Sequence, residues 1–226
     1  MPPELCDISP MLNGSPLRRL MVMLSSAVFI SGSAMASSSA PAANAKITKI
    51  TCVGDSLTEG LGVSKDAAYP ARLSDLLKAK GYSIEVVNAG VSGATTAGAA
   101  AKVRWALKAK PQLILLALGA NDGLRGLKLE ETKKNLSEAI DEAKKAEVKL
   151  LLAGMKVPPN YGPDYTKKFD ELFRKLAKEK KVPLIPFLLV GVGGEPELNQ
   201  ADGIHPNAEG HKKVAETVMK HLEPLL

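Results

Sequence analysis

Residues 47–58 read Ile47-Thr48-Lys49-Ile50-Thr51-Cys52-Val53-Gly54-Asp55-Ser56-Leu57-Thr58. The part up to Val53 is an apolar run without strict alternation, which is typical of a strand buried on both faces of a parallel sheet. Comparable runs occupy residues 83–88, 112–118, 149–155 and 183–187. We therefore predict five strands of one sheet.

Amphipathic helix patterns lie between the predicted strands. One is marked by apolar positions three, four, seven and eight residues after the first: Phe169, Leu172, Phe173, Leu176 and Ala177. Another is marked by Leu129, Thr132, Leu136, Ala139, Ile140 and Ala143. A further helix is expected to end at Lys78-Ala79-Lys80-Gly81, and the last to span about residues 208–222. Alternating strands and helices predict an α/β fold, a three-layer α/β/α sandwich around a five-stranded parallel sheet.

The composition is that of one globular domain. The chain has 226 residues and a net charge of +6, with its basic residues spread over helical faces. Aromatic residues make up only 4% of the chain, which disfavours stacking on nucleic-acid bases. We expect a monomer that binds no nucleic acid, while weak attraction to anionic lipid or envelope polymers stays open.

Residues 1–36 are predicted to be a signal peptide. Arg18-Arg19 precedes an apolar stretch at residues 20–30, which is too short for a membrane span of about twenty residues. Cleavage is expected after Ala34-Met35-Ala36, with Ala43-Asn44-Ala45 as the alternative site and an uncleaved anchor as the alternative fate. Residues 37–45 then form a linker and residues 46–226 the domain, in a periplasmic or secreted protein without a membrane span.

The two cysteines predict no internal disulfide. Cys6 would be removed with the signal peptide, so Cys52 would be the only thiol of the exported protein. Because Cys52 lies inside the first predicted strand, we interpret it as a small core residue.

Polar motifs follow the first three predicted strands. They are Gly54-Asp55-Ser56, Asn88-Ala89-Gly90-Val91-Ser92-Gly93 and Gly119-Ala120-Asn121. The carboxyl ends of parallel strands meet at one edge of a sheet, where ligands bind. Ser56 is the candidate nucleophile, and a helix N-cap is its alternative role.

Asp202 precedes His205 by three residues, a spacing that puts both side chains on one side of a helical turn. Asp202 could then orient the His205 ring as the general base that Ser56 needs. A zinc site needs three or four ligands, and the other histidines, His211 and His221, are predicted on the surface of the last helix. We expect no metal.

The oxyanion formed during acyl transfer needs several hydrogen-bond donors. Ser56 and Gly93 can each offer a backbone N–H and Asn121 a side-chain amide, although Gly93 and Asn121 also fit plain turns. Asp55 and Asp122 are assigned to hydrogen bonds within their loops. The second glycine of the G-x-S-x-G motif is missing, which disfavours the α/β-hydrolase fold. A Walker loop and a G-x-G-x-x-G motif are also missing, so nucleotide binding is unsupported.

These motifs resemble the four blocks of the SGNH or GDSL hydrolases, whose name-giving residues map to Ser56, Gly93, Asn121 and His205. The resemblance covers residues 46–226. It is strongest to the periplasmic bacterial thioesterase/lysophospholipase/arylesterase group, through Gly123-Leu124-Arg125-Gly126 and Val157-Pro158-Pro159-Asn160-Tyr161-Gly162. It implies a flavodoxin-like sandwich and hydrolysis of carboxylic esters and thioesters without a cofactor.

The expected function is that of an exported serine esterase acting on short- to medium-chain acyl or aryl esters, with thioesters and lysophospholipids as further candidate substrates. Leu124, Pro159, Asn160 and Tyr161 are expected to bind the substrate. The chain departs from the group at residues 188–200, where Gly191-Val192-Gly193-Gly194 replaces a bulkier loop. A carbohydrate O-deacetylase and a non-enzymatic envelope-binding domain are the alternatives.

Overall fold

The computed structural model describes residues 46–226, and the predictions for residues 1–36 and 37–45 and for Cys6 lie outside that part. Within it, five parallel strands form one sheet in the order β2-β1-β3-β4-β5. The strands are β1 (Lys49–Gly54), β2 (Glu85–Gly90), β3 (Leu113–Ala117), β4 (Lys149–Ala153) and β5 (Leu184–Ile185). The predicted α/β/α sandwich is confirmed, and the strand order is the flavodoxin-like one.

Seven α helices cover the sheet in the described part of the chain. They are α1 (Ser56–Glu59), α2 (Tyr69–Ala79), α3 (Ala99–Leu107), α4 (Ala120–Leu124), α5 (Leu129–Lys145), α6 (Pro163–Lys180) and α7 (Ala208–Leu222). α2 packs with α7, while α5 packs with both α3 and α6. Gly81 follows α2 at φ +83°, which agrees with the predicted glycine after that helix.

The core lies on both faces of the central strands. Every residue of β3 is buried, and Ile50, Cys52 and Val53 of β1 are fully buried beside it. Burial raises the pKa of the Cys52 thiol to about 12, so this thiol is an inert core group, as predicted.

β5 is shorter than predicted. Residues 183–187 were expected to be a strand, but only Leu184 and Ile185 pair with β4. Pro183 and Pro186 flank this pair and carry no N–H for a sheet ladder. The outer edge of the sheet is therefore reduced to two residues.

The prediction for His211 is wrong. Its side chain is buried instead of lying on the helix surface, and its Nδ1 accepts a hydrogen bond from the Tyr69 backbone N–H at 3.3 Å. The cause is its position on α7, because Val214, Ala215 and Val218 follow at helical spacing and are also buried. Within residues 46–226, no helix is both long and apolar enough to cross a membrane.

Candidate active site

Ser56 is the first residue of α1, directly after β1 and Asp55. The N-cap of α1 is Asp55, whose carboxylate accepts the Leu57 N–H at 3.0 Å, so the alternative of Ser56 as the N-cap does not hold. The chain turns sharply here, since a Cβ on Gly54 would lie 1.9 Å from Thr58 Oγ1. This turn presents Ser56 at the carboxyl edge of the sheet.

Asp202, His205 and Ser56 form a continuous hydrogen-bonded chain. His205 Nδ1 lies 2.7 Å from Asp202 Oδ2, and His205 Nε2 lies 2.9 Å from Ser56 Oγ. With the carboxylate as acceptor, Nδ1 carries the proton and Nε2 is left to accept the Ser56 hydroxyl proton. Residues far apart in the sequence are thus joined in the order nucleophile, base and orienting carboxylate.

The Asp202–His205 contact arises from a turn and not from the helical turn that the spacing suggested. Asp202 Oδ1 accepts the backbone N–H groups of Ile204 and His205, both at 3.0 Å, and Gly203 has φ +72°. The pKa of Asp202 is lowered to about 2. The main cause is the hydrogen bond that its carboxylate accepts from the His205 ring, and the next is the bond that it accepts from the Ile204 N–H. Asp202 is therefore a carboxylate at any pH at which the protein would work.

Ser56, Gly93 and Asn121 are the three candidate oxyanion donors, and of these Ser56 and Asn121 line the cavity whereas Gly93 does not. As the first residue of α1, Ser56 has a backbone N–H without a partner inside the helix. Gly93 has φ +75°, and its N–H donates to no acceptor within residues 46–226, whereas the N–H groups of Val91, Ser92 and Ala94 all do. Asn121 lines the same cavity as Ser56 and His205.

The loop carrying Gly93 is tied to the rest of the site at several points. Glu59 of α1 accepts the Ser92 N–H at 2.6 Å and also the Ser92 hydroxyl. Asn121 Nδ2 donates to the Ala94 carbonyl at 3.1 Å, and Arg125 donates to the Gly93 carbonyl at 3.3 Å. These bonds couple the helix of the nucleophile to the glycine loop.

Asp55 bonds within its own turn, as predicted, whereas Asp122 lies in α4 and its carboxylate bonds to a different segment of the chain. Asp122 accepts the Thr96 N–H at 2.9 Å and also the Thr96 hydroxyl. Asp55 is fully buried and its Oδ2 has no hydrogen-bond partner in the described part of the chain. Burial raises the pKa of Asp55 to about 6, which leaves it protonated more readily than an ordinary carboxyl.

A cavity of about 490 Å³ opens beside Ser56. Its walls are mostly apolar and include Leu57, Leu124, Val157, Phe187, Leu189 and Ile204. This volume lies in the range of small-molecule sites, about 300–1,000 Å³. The wall contributed by residues 188–200 includes Gly193 and Gly194, which add no side-chain bulk.

The four predicted substrate-binding residues divide into two pairs. Leu124 and Pro159 line the cavity. Asn160 is exposed, and neither Asn160 nor Tyr161 is part of the cavity wall. The Tyr161 hydroxyl instead donates a hydrogen bond to the Leu124 carbonyl at 2.7 Å. Contact of these side chains with substrate stays a prediction.

Lys156 and Phe187 line the cavity and were not predicted from the sequence. Lys156 lies three residues after the end of β4. It is therefore a polar residue close to the carboxyl end of a strand, which is the same feature that identified Ser56 and Asn121 from the sequence. Among residues 46–226 no group of three or more His, Cys, Asp or Glu side chains is arranged as a metal site. Asp202 and His205 instead have Ser56 as their third partner.

Comparisons with known proteins give a consistent picture. Esterase TesA of Pseudomonas aeruginosa is 41% identical to this chain over 175 residues, which are 77% of this chain and 87% of that protein. Thioesterase 1/protease 1/lysophospholipase L1 of Escherichia coli is 39% identical over 175 residues, or 77% of this chain and 83% of that protein. A crystal structure of TesA matches with a TM-score of 0.77 and 39% identity, over 79% of this chain and 100% of that one.

The sequence pattern of the GDSL-like Lipase/Acylhydrolase family matches residues 52–213, a span that holds all four motifs. With that match across most of the domain, and with relatives of this similarity, the chain belongs to the GDSL-like lipase/acylhydrolase family, the SGNH hydrolases that its motifs resemble.

Proposed function

We propose that this protein hydrolyses carboxylic esters of short- to medium-chain acyl groups, aryl esters included, through an acyl-enzyme on Ser56. Membership of the family makes it an ester-hydrolysing enzyme. The covalent route and the acyl range are the proposal. One observation carries it: His205 lies within hydrogen-bond distance of both Ser56 and Asp202, at 2.9 and 2.7 Å.

The first half of the reaction forms the acyl-enzyme. Ser56 Oγ attacks the acyl carbonyl as its proton passes to His205 Nε2, and Asp202 stabilises the resulting imidazolium. The oxyanion receives hydrogen bonds from the Ser56 and Gly93 N–H groups and from the Asn121 amide. The bond from carbon to the leaving group then breaks, and the leaving alcohol or thiol takes the proton from Nε2.

The second half repeats these steps with water. His205 takes a proton from the water as its oxygen attacks the acyl carbon, and Ser56 Oγ leaves with that proton. The carboxylic acid departs and the enzyme is regenerated. No group outside the chain is required by this route, and the retained nucleophile, base and orienting carboxylate argue against a non-enzymatic binding domain.

Replacing Ser56 with alanine tests the route. The variant should fold normally, because its hydroxyl lies at the rim of the cavity, and should lose p-nitrophenyl butyrate hydrolysis by a factor on the order of 10⁶. A serine-directed phosphonate should label the wild type once, at Ser56. Ser137→Ala on the surface of α5 is the matched control and should keep full activity and labelling. Activity retained by Ser56→Ala would rule out the acyl-enzyme.

We also propose that the protein is exported, on the basis of the basic and apolar N-terminal sequence. N-terminal sequencing of the protein from the cell envelope or medium should find Ser37, or Lys46 if the second cleavage site is used. An intact Met1 on a membrane-bound product would instead support the uncleaved anchor.

A further inference from the structure

The cavity beside Ser56 adjoins a second cavity. This second space, of about 340 Å³, is lined by Lys156, Pro159, Pro163, Thr166, Lys167 and Asp170. Lys156 and Pro159 also line the first cavity, so they form the shared boundary. A substrate whose carbonyl lies at Ser56 and which extends along the apolar walls can therefore reach Lys156.

The position of Lys156 is well defined. Its neighbours Met155 and Val157 are both buried, which anchors the backbone on either side. Its Nζ lies 5.4 Å from the centre of the Phe187 ring, and Phe187 is itself a wall of the first cavity. The aromatic face attracts the ammonium group without neutralising its charge.

The charge at this boundary is not balanced by the protein. Within residues 46–226, no carboxylate lies within ion-pair distance of Lys156 or Lys167. In Asp170, the one carboxylate of the second cavity, Oδ2 lies 3.5 Å from Arg174 Nε, while the buried Oδ1 has no hydrogen-bond partner in the described part of the chain. Lys156 therefore has no carboxylate partner of its own, and its charge is available to a ligand.

A purely alkyl ligand would not match this boundary. A hydrocarbon placed against Lys156 would remove water from the ammonium group and offer no hydrogen-bond acceptor in return, which is unfavourable. A phosphate or carboxylate oxygen would replace that water with a charge-assisted hydrogen bond. Apolar walls that end at a cation suit a substrate that is apolar near the ester and anionic farther away.

We propose that Lys156 is a specificity-determining residue that binds an anionic group, a phosphate or a carboxylate, on the ester substrate. This inference rests on the proposed function, since it assumes that the ester carbonyl lies at Ser56. The anion can be part of the leaving group or can stand at the far end of the acyl chain. Both sources share one chemistry, and matched substrates distinguish them.

The test uses two pairs of substrates, each with one anionic and one neutral member. For the leaving group, the pair is the hexanoyl thioester of coenzyme A and that of N-acetylcysteamine. For the acyl end, the pair is p-nitrophenyl hydrogen suberate and p-nitrophenyl methyl suberate. The ratio of kcat/KM, anionic over neutral, is measured for the wild type, Lys156→Met, Lys156→Arg and the control Lys134→Met, which changes an exposed lysine of α5.

In Lys156→Met, the ratio should fall roughly three- to tenfold in at least one pair, mainly through KM, as expected for a partly exposed charged hydrogen bond. Lys156→Arg should keep it, and raising the salt concentration should lower it in every protein that keeps a cation at position 156 but not in Lys156→Met. The pair that responds identifies where the anion lies. An unchanged ratio in both pairs, or an equal fall in Lys134→Met, would overturn the inference. Failure of the proposed function looks different, because Ser56→Ala would then hydrolyse every substrate as fast as the wild type.

Discussion

The Asn121 amide can hold the glycine loop and, as proposed above, also donate to the oxyanion. One of its N–H groups donates to the Ala94 carbonyl at 3.1 Å, which leaves the other for a substrate oxyanion. The same side chain thus positions the glycine loop and supplies a donor of its own. The geometry explains why this position needs an amide and not a carboxylate of the same shape.

Replacing Asn121 with alanine should lower kcat by roughly 10²–10³ and change KM little, because the lost bond forms mainly in the transition state. Kinetics with p-nitrophenyl butyrate measure the change. Ser137→Ala on α5 serves again as the control and should keep kcat. A pure KM effect in Asn121→Ala would make this residue a substrate-binding group instead.

Asp55 predicts a pH dependence of stability. Its pKa is about 6 in the folded protein, above the ordinary value of 3.8, because it is buried. Between these values the native state holds a proton that the unfolded state has lost, so the free energy of unfolding falls as pH rises from about 4 to 6. The total loss is on the order of 3 kcal/mol.

Urea unfolding of the wild type and of Asp55→Asn, from pH 4 to pH 8, measures this effect. The stability of the wild type relative to the variant should fall between about pH 4 and 6 and be constant above. His211, whose pKa burial lowers to about 4, works in the opposite direction, but it is present in both proteins and cancels in the difference. A difference that does not vary with pH would show that Asp55 has the same pKa in the folded and unfolded protein, which would contradict the effect of burial.

At the scale of elements, the site depends on the close approach of β2 to α1. A Cβ on Gly90, the last residue of β2, would lie 2.1 Å from Glu59 N and 2.6 Å from Thr58 C, both backbone atoms. Only glycine allows these elements to approach so closely. The contact brings the loop of Gly93 next to the helix that begins at Ser56.

Gly90→Ala should therefore push α1 away from β2, costing about 1–3 kcal/mol in unfolding free energy and roughly 10²-fold in kcat. Denaturant unfolding and ester kinetics measure both. Gly81→Ala is the control, since Gly81 has φ +83° but nothing within 4 Å of its Cβ position. It should lose about 1 kcal/mol and keep its kcat. Normal kcat in a folded Gly90→Ala variant would contradict this account.

At the scale of the molecule, the strand order places the site. β1 lies between β2 and β3, so the chain leaves β1 in one direction for α2 and β2 and returns to β3 on the other side. Such a reversal opens a crevice at the carboxyl ends of the strands. Ser56 follows β1, Gly93 follows β2 and Asn121 follows β3, and all three thereby meet at this crevice.

The acyl range follows from the cavity that these loops enclose. Each buried methylene should contribute about 0.8 kcal/mol, or about fourfold in kcat/KM, until the chain outgrows the cavity. Activity on p-nitrophenyl esters from C2 to C16 should therefore rise to about butyryl–octanoyl and then level off. Leu124→Ala should flatten the rise, and Leu127→Ala, outside the cavity wall, should not. A sharp acetyl preference insensitive to Leu124→Ala would favour the carbohydrate O-deacetylase.

Much of this architecture could be predicted from local patterns. Apolar runs and helical spacing identified the five strands and the main helices, because burial on two faces or on one stripe leaves a periodic trace in the chain. Because the strands were predicted to be parallel, the motifs after β1, β2 and β3 were expected at the same edge of the sheet, regardless of the length of the segments that connect them. That is why Ser56, Gly93 and Asn121 could be grouped before any coordinates were known.

The tertiary structure alone decided which other groups join them. Burial of His211 depends on where α7 docks against α2, and the Glu59–Ser92 and Lys156–Phe187 contacts join residues about thirty positions apart. The turn at Gly203, and not a helix, brings Asp202 to His205. Such contacts depend on the relative placement of separate elements, and that placement is set by packing across the whole core, which leaves no periodic trace in the chain.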